Sequence, residues 1–116
     1  MGQKGNILSI AVKKEASIVS LHEKRIYMQF TDQFRYEMDI LIESHHRDLI
    51  IDFSGVNMIN SLGIGVLIST ANAINKYNKK LVIVGLNPSI EEIFTRMRLN
   101  MIFDIGRNVR EGLALL

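Results

Sequence analysis

From Phe53 to Asn75 the chain runs for 23 residues without a charge, between Asp52 and Lys76. Elsewhere charges are frequent, with 14 Lys or Arg and 12 Asp or Glu in 116 residues. A gap of that length could be a membrane span. Its composition argues against one. Twelve of the 23 residues are apolar, and the rest are Asn57, Asn60, Asn72, Asn75, Ser54, Ser61, Ser69, Thr70 and three glycines. The stretch is uncharged without being oily, and needs another explanation.

The remaining composition is that of an ordinary globular chain, 47% hydrophobic and 22% charged. Residues 1–116 are expected to form a single domain with a core that needs no disulfide or metal. The net charge of +2 is too small for a dedicated nucleic-acid or polybasic membrane binder. Cysteine is absent, which excludes disulfides, cysteine-based zinc sites and thiol catalysis. No apolar core of signal-peptide length follows Met1, and Asn6 stands where a myristoylation signal wants Ser or Thr. The reading is a cytoplasmic protein without membrane insertion.

Hydrophobic periodicity predicts the elements. Asn6 to Val12 alternates, with Leu8, Ile10 and Val12 on one side of a strand, and Ile18 to Leu21 is a second strand. Ile26, Phe30, Phe34, Met38 and Leu41 fall on one face of an amphipathic helix. A buried strand follows at Leu49 to Phe53. Ser54, Gly55 and Asn57 are turn material. A second helix is expected from about Leu62 to Lys76, with Leu67, Ala71, Ile74 and Tyr77 on one face. Leu81 to Gly85 is apolar throughout, as in a strand covered on both sides. Asn87-Pro88 is a helix start, with Ile90, Ile93, Phe94 and Met97 as the inner face. Met101 to Ile105 is expected as a last strand and Asn108 to Leu116 as a last helix. Helices alternating with buried strands predict an α/β fold whose later strands run parallel.

Few residues carry chemistry. His45 and His46 are adjacent, His22 has no partner nearby in sequence, and no metal-ligand spacing occurs. They read as exposed loop histidines. Gly63-Ile64-Gly65 is half of a nucleotide-binding glycine loop without its third glycine, and there is no Walker sequence or nucleophile elbow. Nothing marks an enzyme, and no cofactor is called for. The remaining site is Asn60-Ser61-Leu62-Gly63-Ile64-Gly65, between a strand and a helix. Ser61 reads as the helix cap. A hydroxyl there lies over free backbone N–H groups, where a phosphate would also meet the helix dipole.

At these residues a resemblance enters. Asp48 to Ile68, DLIIDFSGVNMINSLGIGVLI, resembles the central segment of STAS domains, above all the bacterial anti-sigma factor antagonists. Those read apolar-Asp-apolar-Ser-Gly-Val, then Asp-Ser-Ser/Thr-Gly-Leu-Gly-Val-Leu. The similarity extends to Lys79–Gly85, to Asn87-Pro88 with Ile93-Phe94, and to Asn100–Phe103. It is specific from Asp48 onward. It implies a small mixed β-sheet with helices mainly on one face. It also implies a protein-binding regulator rather than an enzyme. In that family the unphosphorylated protein binds an ATP-dependent serine kinase of the histidine-kinase-like fold that doubles as an anti-sigma factor. The kinase phosphorylates the first serine of the motif, here Ser61, and so ends the complex. A PP2C-type phosphatase reverses the reaction.

Three departures stand out. Asn60 replaces the family's aspartate, Leu62 replaces the second hydroxyl residue, and Glu23-Lys24-Arg25-Ile26 stands where the family has a Gly-x-Leu-Asp turn. The docking surface implied here is the Ser61 loop with one helix face: Asn57, Met58, Asn60, Leu62, Gly63, Ile64, Val66, Ser69 and Thr70. The alternatives are a STAS scaffold or transporter-complex subunit that is never phosphorylated, and a small-ligand or nucleotide binder using the Gly63–Gly65 loop. An uncharged surface suits an interface core, where charge is depleted.

Overall fold

The computed structural model describes residues 7–27 and 29–116. The elements are β1 (Leu8–Val12), β2 (Ala16–Leu21), β3 (Arg25–Ile26), α1 (Gln29–Ser44), β4 (Asp48–Asp52) and β5 (Met58–Ile59). After these come α2 (Ser61–Asn75), β6 (Leu81–Val84), α3 (Pro88–Arg96), a 3-10 turn (Leu99–Met101), β7 (Asp104–Gly106) and α4 (Val109–Ala114). The main sheet has the order β1-β2-β4-β6-β7. Its first pair is antiparallel, Leu8 opposite Leu21, and β2, β4, β6 and β7 run parallel. This is the mixed α/β sheet that the alternation of elements predicts.

Each central strand is apolar on both sides because both sides are covered. Leu49, Ile51, Leu81 and Ile83 face the larger core, with Phe34, Met38 and Leu41 of α1, Leu67 and Ile74 of α2, and Ile90 and Phe94 of α3. Ile50, Val82 and Val84 face the other way, against Val109 and Leu113 of α4. Three helices thus lie on one face and the short α4 on the opposite one. Phe94 sits between Phe53 and Phe103, with ring centroids 6.3 and 6.2 Å away, an edge-rich arrangement that adds to simple burial.

Several expectations are corrected. Ile26 does not belong to the first helix. It lies in β3 and pairs with Ile59 of β5, a two-residue parallel ladder. Asn6 lies outside the described residues. Ile10 and Val12 do share one side of β1, but they are 37% and 42% exposed, because β1 is the sheet's edge and α1 only flanks them, through Glu37, Ile40 and Leu41. Tyr77 is exposed and stacks on His46, 3.8 Å between ring centroids. Met97 is half exposed at the end of α3. The last strand starts at Asp104, not Met101. Arg98 adopts φ 58 and turns the chain into the 3-10 segment, which leaves Met101 in solvent and buries Phe103.

Candidate functional site

Asp52 ends β4 and organises the loop that follows. Its Oδ1 accepts the Ser54 amide at 2.9 Å and also the Ser54 hydroxyl. Gly85 faces this turn with φ 77, and a β-carbon there would come within 2.8 Å of Asp52 Oδ1. Only glycine fits both the conformation and the space. Asn87 Nδ2 donates to the Val56 carbonyl. The segment before α1 holds the loop from the other side. The amides of Asn57 and Met58 donate to Lys24 O, and that of Asn60 to Ile26 O. The loop is therefore tied to β3, to β6 and to the start of α3 before it enters α2.

Asn60, not Ser61, caps α2. Its backbone is extended, φ −97 and ψ 179, and its Oδ1 accepts the Gly63 amide at 3.0 Å. Ser61 is the first residue of the helix and is exposed. Its hydroxyl makes no hydrogen bond among the described residues. The Asn60 side chain answers Gly63, and the Asn60 carbonyl takes the Ile64 amide at 3.0 Å. The amides of Ser61 and Leu62 are the helix's remaining open donors, as the geometry of a helix N-terminus requires. A phosphate on Ser61 would sit beside these donors at the positive helix end.

Gly63 fixes how close this helix start lies to the β3–β5 ladder. A β-carbon there would approach Ile59 Cγ1 to 2.7 Å and Ile26 Cγ2 to 3.3 Å. The helix start therefore packs directly onto the ladder.

The residues singled out in the sequence divide into two groups. Ser61, Leu62, Asn57, Met58 and Ser69 are exposed and Asn60 is half-buried, with Leu62 at 62% and Met58 at 50%. Gly63, Ile64, Val66 and Thr70 are buried against the core, and the Thr70 hydroxyl donates to Val66 O at 2.7 Å. The side chains of Ile64, Val66 and Thr70 do not reach the surface. The open face of α2 is formed by Ser61, Leu62, Ser69 and Asn72, none of them charged.

Other groups with chemical potential lie apart from this face. His22 Nε2 is 2.9 Å from Ser9 Oγ on the β1 side. His45 and His46 follow the end of α1. Among the described residues no group of three or more His, Cys, Asp or Glu side chains could hold a metal ion. No helix among them is long and apolar enough to cross a membrane.

Residues 8–112 match the family model of the STAS domain. Among solved structures, the chain is similar to an anti-sigma-factor antagonist domain protein from Planctomyces limnophilus, at 14% identity, with 93% of this chain and 95% of that one covered and a TM-score of 0.83. It is similar to an anti-sigma factor antagonist from Mycobacterium paratuberculosis, at 19% identity, with 93% and 91% covered and a TM-score of 0.80. The phosphorylated form of the Bacillus cell fate determinant SpoIIAA aligns at 13% identity, with 94% and 99% covered and a TM-score of 0.72. No curated protein matches the chain in sequence. At these identities the likeness establishes the fold.

Proposed function

The chain belongs to the STAS domain family, and on that premise we propose that it is a protein-binding switch rather than an enzyme, controlled by phosphorylation of Ser61. The observation that carries this reading is the placement of Ser61. It is an exposed hydroxyl at the first position of a helix, on a loop braced from two sides, at the head of an uncharged face. The partner would be a serine kinase that doubles as an anti-sigma factor, and a PP2C-type phosphatase would reset the switch. A solved structure of a related fold that carries its phosphate supports the choice of class.

The switch needs no refolding. Unmodified, the face of Ser61, Leu62, Ser69 and Asn72 on α2 carries no charge that a partner would have to remove from water, and the nearest charge on the ladder is Arg25 beside Met58. Phosphorylation adds roughly −1.5 to −2 charges in its midst. Desolvating that group without a partner costs several kcal/mol, and about 4 kcal/mol weakens binding a thousandfold.

The test is the intact mass of the protein from its native host, with site mapping, in the presence and absence of host phosphatases. A phosphate on Ser61 supports the switch. Its persistent absence when phosphatases are removed overturns it and leaves the unphosphorylated scaffold.

A further inference from the structure

The two edges of the main sheet are built differently. At one, β7 is three residues long and its Asp104 pairs with Lys80 at 3.3 Å. Short, charged edges resist further pairing. At the other, β1 reads Leu8-Ser9-Ile10-Ala11-Val12, without charge, proline or glycine, and no described strand pairs with its outer side. The His22 amide donates to Ile7 O and the Lys13 amide to Ala16 O, which fixes the phase of the β1–β2 ladder. Bonded pairs alternate along an antiparallel ladder, so Ser9 and Ala11 bond inward as well. The amides and carbonyls of Leu8, Ile10 and Val12 therefore point outward in a row. On the α1 side of the same strand, Ile10, Val12 and Ile40 line one groove, and all three are exposed.

We infer that β1 is the interface for a second copy of this chain, paired antiparallel to itself about Ile10. The strand is its own complement. Leu8 would lie opposite Val12 of the other copy, and Ile10 opposite Ile10. Every outward amide and carbonyl then finds a partner, and the exposed apolar residues meet one another. Charge selects the antiparallel sense. The Val12 end leads into Lys13 and Lys14, whose carbonyls accept from Arg47 Nη1 at 2.9 and 3.1 Å, with Glu15 the one acid in the turn. The Leu8 end is flanked by Gln33 and Glu37 of α1. Antiparallel pairing carries each lysine turn toward the other copy's Glu37 end, whereas parallel pairing would bring the two lysine turns together. Ser61 opens the helix after β4, two strands in from this edge, so the dimer would present two Ser61 faces. The inference does not depend on the reading of Ser61.

The chain has no cysteine, so a single introduced one reports the register. At a hydrogen-bonded antiparallel pair the α-carbons lie about 5.5 Å apart, within reach of a disulfide. Ile10→Cys is expected to give a covalent dimer on oxidation. Val12→Cys, whose counterpart would lie roughly 14 Å along the pair, is expected to give at least about tenfold less. Sedimentation velocity on the full chain should show a dimer for the parent. Ile10→Lys puts a charge on the edge and should be monomeric, with the parent's melting temperature little changed. A parent that stays monomeric across the micromolar range overturns the inference, as does a dimeric Ile10→Lys or equal crosslinking of the two cysteine variants. Should Ile10→Lys fail to fold, the cysteine pair decides alone.

Discussion

Asn60 is where the structure most changes the meaning of a single residue. Three helices begin on asparagine, and in each the Oδ1 accepts the third amide, Gly63 at 3.0 Å, Ile90 at 2.8 Å and Glu111 at 2.9 Å. Asn87 was legible as a cap because Pro88 marks the boundary, whereas Asn108, read as the first residue of the last helix, is its cap. At Asn60-Ser61 two good caps stand side by side, and the backbone, extended at Asn60 and helical at Ser61, decides between them. Asn60→Ala should lower stability by about 1 kcal/mol in urea unfolding, with Ser61 unable to replace it from inside the helix. Asn60→Asp keeps an acceptor at the positive helix end and should melt no lower than the parent. Gly63→Ala should cost about 1–3 kcal/mol because its methyl meets Ile59.

At the scale of elements, what the sequence showed depended on contrast. Asn87-Pro88 made α3 legible, and its Phe94 is fully buried as the periodicity requires. Phe94→Ala, which empties the space between Phe53 and Phe103, should cost about 3–5 kcal/mol by denaturant midpoint. In α2 the contrast is missing. With no charge from Phe53 to Asn75, nothing in the sequence says which apolar residues face water, so Ile64, Val66 and Thr70 could be placed on the outer face although they point inward. The β3–β5 ladder is two residues long, below any period that alternation can reveal. Ile26 therefore matched the helical spacing of α1 while belonging to a strand. The exposure of Ile10 and Val12 was equally hidden, since alternation marks a face but not whether a helix covers it.

At the scale of the molecule, the order of the main-sheet strands and the helices was legible, and so was the position of the loop before α2, because buried parallel strands and a strand-to-helix motif leave strong local marks. The proposed switch predicts that Ser61→Asp changes binding without changing architecture. Its melting temperature should stay within a few degrees of the parent and its far-ultraviolet circular dichroism should superimpose, since the site is exposed and the added charge lies at the favourable helix end. The parallel core has a kinetic consequence as well. Ala16 pairs with Asp48 and Leu49 with Leu81, each across 32 positions and a whole helix. Only β1 and β2 can meet locally. Loop closure on that scale comes before any reward from the sheet, so refolding is expected in milliseconds to seconds rather than microseconds. On the ribosome the central strand must wait for Leu81 to emerge before both its edges are satisfied. Ser61, synthesised twenty residues earlier, is therefore chemically present well before it is presented on a finished helix. A modifying enzyme that reads the folded loop would thus ignore nascent chains and act only on completed ones.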